Sequence, residues 1–418
     1  MNAQTQIDQQ SPASIATVAT LPGSAPAAPP AVALGILFAL SLSHLINDSL
    51  QALIPASYPL LKEAHGLTFT QIGLITLVFQ MSGSIFQPLV GFYTDRNPKP
   101  YSLVIGMCLT LCGLMALALA PRYEFILLAA GFIGLGSAIF HPESSRMARL
   151  ASGGRHGFAQ SLFQVGGNFG SALGPLLAAW IIIPHGQRSI LIFSILAIAG
   201  MLVLSRVGNW YAARLLEIHR SRSAGHREKS PYDRTTIAVA IGALLVLIFS
   251  KFFYLVSFTN YFTFYLIDKF GLTARGSQFY LFLFLASVAA GTIVGGPVGD
   301  RIGRRAVIWI SILGISPFAL VLPHANLFWT AVLAMIVGFI MSSAFPAILV
   351  FATELLPGNV GLVAGLFFGL AFGMAGIGSA LLGKLADSTS IQFVFSVCAW
   401  LPLLGLFTGF LPNLKKTG

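Results

Sequence analysis

Ionisable side chains are scarce in this chain, and a few of them sit where chemistry could follow. Asp48 lies one helical turn after His44 within the string SLSHLIND, with Asn47 and Gln51 beside it, so these groups form a polar stripe on an otherwise apolar helix. A charge at the centre of a bilayer costs roughly 2.5 to 3.5 kcal/mol on insertion scales, and such residues are retained for function. Histidine titrates near physiological pH, and a neighbouring carboxylate in a low-dielectric cavity can pass a proton to or from it. His44 and Asp48 are therefore candidate proton-coupling groups, and a fixed structural hydrogen bond is the competing role.

Further along, His141, Pro142, Glu143 and Arg146 share one apolar stretch. Pro142 frees backbone carbonyls within the helix, and Glu143 can pair with Arg146 three residues on. His141 and Glu143 join the proton-coupling candidates and Arg146 the substrate-binding ones. Gln160, Gln164 and Asn168 recur at successive turns and would line one helix face with uncharged hydrogen-bonding groups that orient a ligand, or that bond to a neighbouring helix. Lys251 is the one central cation of its stretch, followed by Tyr254, Phe258, Tyr261 and Tyr265 at helical spacing. A buried ammonium beside a wet cavity suits phosphonate or carboxylate oxygens. It could equally neutralise Asp48 or Glu143. Lys251, Tyr254 and Asn47 complete the substrate-binding candidates.

The elements that must carry these residues follow from composition. Of 418 residues 56% are hydrophobic and 9% charged, and the mean hydropathy is +0.82. Soluble domains carry about a quarter charged residues, so this composition predicts a polytopic membrane protein. Twelve spans are long enough to cross a hydrocarbon core that needs about 20 residues. They fall at 32–61, 70–93, 101–120, 124–149, 157–183, 189–211, 236–267, 277–299, 306–323, 328–355, 359–383 and 391–411.

The expected organisation is a disordered cytoplasmic tail over 1–31, a six-helix bundle over 32–211, a basic cytoplasmic linker over 212–235, a second bundle over 236–411 and a tail over 412–418. The net charge of +11 arises in short turns between apolar runs, not in a compact basic domain, so nucleic acid is not an expected partner. Most of the 24 Lys and Arg residues fall on one side if both termini are cytoplasmic. Cys108, Cys112 and Cys398 lie inside apolar runs without metal or redox spacing, and no metal is expected. The spans hold no HExxH, Gly-x-Ser-x-Gly or Cys–His set, which argues against a membrane enzyme.

A repeat organises the whole. GPVGDRIGRR at Gly296 to Arg305 has a weakened copy, GFYTDRNPKP, at Gly91 to Pro100, and each copy ends one apolar run and opens the next. Gly91, Asp95 and Arg96 answer to Gly296, Asp300 and Arg301, and Lys99 answers to Arg304. These turns resemble the loop signature of the major facilitator superfamily. The resemblance implies an all-α fold of twelve helices in two pseudo-symmetric bundles, with a site between them and alternating access by rocking. Carboxylates at Asp95 and Asp300, paired with arginines, would stabilise one arrangement of the bundles. Pro98 and Pro100 depart from the signature in the first copy, which weakens the expectation there.

Gly166, Gly167, Gly170, Gly174 and Pro175 resemble the Gly-Pro signature of the drug and proton antiporters of that superfamily, which is associated with export. At finer grain SLSHLIND, IFHPESSRMARLASGGRHG, QVGGNFGSALGPLLAA, LIFSKFFY and ATELLPG are similar to the bacterial fosmidomycin-resistance efflux proteins. That similarity implies an inner-membrane exporter of a small anionic drug, driven by proton entry with no cofactor and functional as a monomer. The alternative within the class is a proton-linked transporter of an endogenous phosphorylated or carboxylated metabolite.

Overall fold

A computed structural model describes residues 32–220, 232–356 and 360–412. The tails at 1–31 and 413–418, and residues 221–231 of the 212–235 segment, lie outside the described residues. All regular structure among the described residues is helical. Eleven stretches are long and apolar enough to span a membrane, and a twelfth is broken in two. We name them α1 (Leu34–His65), α2 (Phe69–Arg96), α3 (Ser102–Leu119), α4 (Tyr123–Ala151), α5 (Phe158–His185), α6 (Gln187–Leu216), α7 (Arg234–Phe270), α8 (Ala274–Ile302), α9 (Arg304–His324), α10 (Leu327–Met341 and Ala344–Leu355), α11 (Val360–Ser388) and α12 (Ile391–Phe410).

The sequence reads α10 as one continuous span, and the chain instead breaks it at Ser342 and Ser343. Pro346 lacks the N–H that would bond to the carbonyl four residues earlier, at Ser342. Beside the break Ser343 shares a 2.6 Å hydroxyl bond with Ser311 of α9. Pro175 has a comparable effect in α5, where a π-helical segment follows at Ala178–Ile182. At the start of α7 the exposed Asp233 carboxylate accepts bonds from the Thr236 hydroxyl and from the Thr235 and Thr236 amides. Those bonds, the Thr236 hydroxyl first, hold its carboxyl below the usual carboxylate range.

Lipid offers helices no hydrophobic reason to associate, so small residues and hydrogen bonds must bring them together. The glycines of α5 do this against α1. A Cβ on Gly166 would lie 2.1 Å from the Ser41 carbonyl oxygen, one on Gly170 2.2 Å from that of Leu45, and one on Gly174 2.4 Å from Ala52 Cβ. No side chain fits at these distances, so the antiporter-like motif is first of all a helix-packing seam. The two halves of the chain meet mainly where α2 lies along α11 and where α5 lies along α8.

Candidate functional site

The α1–α5 seam delivers His44 and Asp48 to the interior. His44 is 2% exposed, its ring stacks on Phe163 at 4.0 Å, and its Nδ1 lies 2.8 Å from the Phe163 carbonyl oxygen. On α4, Nδ1 of His141 lies 3.1 Å from the Ser137 carbonyl oxygen. A carbonyl only accepts, so His44 donates its Nδ1–H there and turns Nε2 toward Asp48; His141 Nδ1 also lies 3.1 Å from the Ser137 hydroxyl, and donation to the Ser137 carbonyl turns its Nε2 the same way. The two Nε2 atoms stand 3.2 Å and 3.6 Å from the two carboxylate oxygens. Asn47 donates to Asp48 Oδ1 at 3.0 Å.

In their neutral forms these imidazoles present lone pairs to an acceptor-only carboxylate. The contact becomes attractive once a proton occupies an Nε2 position. All three ligand atoms lie within 4.8 Å of one another, a cluster compact enough to share one small cation. Gly167 makes the arrangement possible, because a Cβ there would lie 2.4 Å from the His44 ring and 2.8 Å from Asp48 Oδ2.

Asp48 and His141 face a cavity of about 170 Å³ between the two bundles. Its wall includes Gln51 and Tyr58 of α1, Thr76 and Gln80 of α2, Ser171 and Pro175 of α5, Thr259 and Asn260 of α7, and Phe372 of α11. The polar floor crosses between the halves: Asn260 Nδ2 donates to Thr76 Oγ1 at 2.8 Å and to Ser379 Oγ at 2.6 Å, and the Tyr58 and Thr76 hydroxyls are 2.5 Å apart. Gln80, Thr76 and Asn260 were not among the sequence candidates. Their only signal was polarity within an apolar run that holds several polar residues, which does not say which face of the helix turns inward.

Glu143 and Arg146 are a different assembly. Glu143, 1% exposed, receives a bond from the Ser102 hydroxyl at 3.0 Å and pairs with Arg146 at 2.8 Å. Arg146 also donates to the Thr94 carbonyl at 2.6 Å and lies 5.5 Å over the Tyr211 ring. The pair thus ties the end of α2, the start of α3 and α6 onto α4. It stands at the turn that holds Asp95, and neither residue lines the central cavity.

Gln160 accepts a 3.0 Å bond from Ser145 of α4, Gln164 is half-buried, and Asn168 donates at 2.8 Å to Thr292 of α8. Two of these three amides therefore bridge helices. Lys251, 7% exposed, lies 5.3 Å and 5.5 Å from the ring centres of Phe252 and Phe345, with no carboxylate partner among the described residues. Ring contacts run on from Phe345 to Phe368, then to Phe372 and His141, so an aromatic wall separates Lys251 from the cavity. Tyr254 is buried beside Lys251 against α9 and α12, behind the same wall. Of the loop residues, the side chains of Asp95, Arg96 and Asp300 and residue Gly296 lie outside what is described. Arg301 is exposed, Gly91 approaches Pro142, and Gly303 takes a positive φ of 91° just before Arg304 begins α9.

Comparisons with known proteins agree with this architecture. The fosmidomycin resistance protein of Escherichia coli K12 is 57% identical over 381 residues, covering 91% of this chain and 93% of that protein. The MFS-type transporter YfnC of Bacillus subtilis is 39% identical over 91% of this chain and 93% of its own length. The crystal structure of the fucose:proton symporter FucP of E. coli superposes with a TM-score of 0.63, covering 91% of this chain and 98% of that one, at 15% identity, a likeness of fold alone. The Major Facilitator Superfamily matches residues 40–292 and 247–417, and the chain, a multi-pass membrane transporter and not an enzyme, belongs to that family.

Proposed function

We propose that this transporter exports a small anionic drug of the fosmidomycin type from the cytoplasm of a bacterium in exchange for protons. The observation that carries the proposal is the cluster of Asp48, His44 and His141 at the wall of the cavity between the bundles. It presents three acceptors that a proton would hold together, at the place where alternating access exposes a site first to one side and then to the other. The 57% identity to a fosmidomycin resistance protein supports the substrate class. In this reading both termini are cytoplasmic, the protein resides in the inner membrane, and one chain suffices for transport.

A protonated His141 is the cationic partner at the cavity wall for an anion inside, and Gln51, Gln80 and Asn260 supply neutral hydrogen bonds. Lys251 would act on the anion through its field across the Phe345–Phe368–Phe372 wall, or by contact if those rings turn aside. Glu143 and Arg146 would act on the cycle through the loop that they anchor, together with Asp95 and Asp300. Uptake of labelled fosmidomycin into inverted vesicles tests the whole. Accumulation that requires an acidic lumen supports proton exchange and export together, and equal uptake without a gradient refutes the coupling.

A further inference from the structure

The start of α2 is capped by the other half of the molecule. A helix begins with four N–H groups that lack intrahelical partners, and every one of them here can be followed. Thr68 N–H donates to the side-chain carbonyl of Gln71 at 2.9 Å, and Gln71 N–H to the Thr68 hydroxyl at 3.1 Å. The remaining two, Phe69 and Thr70, donate at 2.9 Å and 2.7 Å to the carboxylate of Asp387 near the end of α11, which also accepts the Thr70 hydroxyl at 2.6 Å. One carboxylate from the second bundle thus satisfies half of the free donors on a helix of the first, where the helix dipole also favours negative charge.

The backbones are tightest at the same end. A Cβ on Gly383 would lie 2.4 Å from the Phe69 carbonyl oxygen and one on Gly73 2.5 Å from that of Ser379. Toward the other end of the same pair the clearance grows to 3.0 Å for Gly369 against Ser84 and 3.7 Å for Gly365 against Pro88. Nearby, Gln278 of α8 donates to the Ala56 carbonyl of α1 at 2.9 Å. The cavity floor at Thr76, Asn260 and Ser379 lies just inside this seal.

We infer that Asp387 is a latch between the bundles, holding shut the cavity end formed by the start of α2 and the end of α11. The latch is charged and each bond to it crosses the bundle interface, so opening that end breaks three charge-assisted bonds at once and leaves two N–H groups to water. It is a positioning residue for the transport cycle. Asp387 does not line the cavity and would not touch cargo. The inference rests on the export reading only for which compartment this end faces.

The test is a distance measurement on the full-length protein in lipid, with no substrate and no gradient. Spin labels go on Glu63 and Lys384, exposed positions on either side of the seal, after Cys108→Ala and Cys112→Ala. The unmodified latch should give mainly the short distance. Asp387→Asn should shift the ratio of short to long distances about tenfold toward long, the equivalent of one charge-assisted bond. Thr70→Val, which removes a single bond and cannot unfold α2, should move it the same way by a few-fold, and Asp387→Glu should recover most of the short population. Distance distributions unchanged in both Asp387→Asn and Thr70→Val would overturn the latch, as would a loss of thermal stability in both without any change in distance.

Discussion

Gly167 and His44 are in contact with no room between them: a Cβ on the glycine would lie 2.4 Å from the imidazole and 2.8 Å from the neighbouring Asp48 carboxylate. The glycine-rich face of α5 therefore sets the geometry of the His44–Asp48–His141 cluster as well as the packing of α1. Gly167→Ala should displace the His44 ring and abolish gradient-driven transport, with an overpacking cost of about 1 to 3 kcal/mol in stability. Gly170→Ala meets the Leu45 carbonyl instead and should cost similar stability while leaving the imidazole in place. Thermal unfolding of both variants, with transport measured in vesicles, separates the two effects. Equal transport losses at equal stability would mean that Gly167 serves packing alone.

Asp48→Asn should lose transport driven by an acidic lumen and keep substrate exchange at equal pH. The amide preserves shape and hydrogen bonding but has no proton to release. Exchange and gradient-driven uptake measured side by side decide it. Undiminished gradient-driven uptake would move the coupling step to His44 or His141.

His141→Gln should weaken binding of an anionic substrate by about ten- to a hundredfold, the loss of one charge-assisted bond. Lys251→Gln should weaken it less, because the Phe345, Phe368 and Phe372 rings stand between that ammonium and the cavity. Fosmidomycin titrations of both variants rank the two cations. A larger loss in Lys251→Gln would show that the aromatic wall opens and that lysine touches the cargo.

Arg146→Ala strands Glu143 as a buried, uncompensated charge and removes the tie to the Thr94 carbonyl. Breaking a buried pair in this way costs about 3 to 5 kcal/mol, and the double change Arg146→Met with Glu143→Gln should recover much of it. Thermal unfolding reads the stability. If the double variant is stable yet slow in transport, the pair serves the 91–100 loop as well as the fold.

Asp300→Asn should slow transport without reducing the amount of protein in the membrane, as expected of a group proposed to favour one bundle arrangement over the other. Asp95→Asn should do the same more mildly, because prolines replace two signature positions in its loop. Wild-type turnover in Asp300→Asn would remove the gating role.

Much of this was legible in one dimension. Apolar runs of about 20 residues leave a chain little choice but to form membrane helices, because lipid cannot satisfy a free backbone. The two copies of the basic turn displayed the duplication, and the i, i+4 spacing of His44 and Asp48 placed both on one helix face. What spacing along a helix does not carry is the helix that each face meets. His141 lies far along the chain from Asp48 and reaches its carboxylate only through the packing of α4 beside α1, while Gly167 on α5 leaves room for the His44 ring next to it. Tertiary packing likewise set Ser102 against the Glu143–Arg146 pair that the spacing allowed, and it left Lys251 among aromatic rings instead of in the cavity. Asp387 had no signal as a latch, since a carboxylate at a helix end is usually solvated. It took its role from Phe69 and Thr70, more than 300 residues away, which bundle docking alone brings within 3 Å.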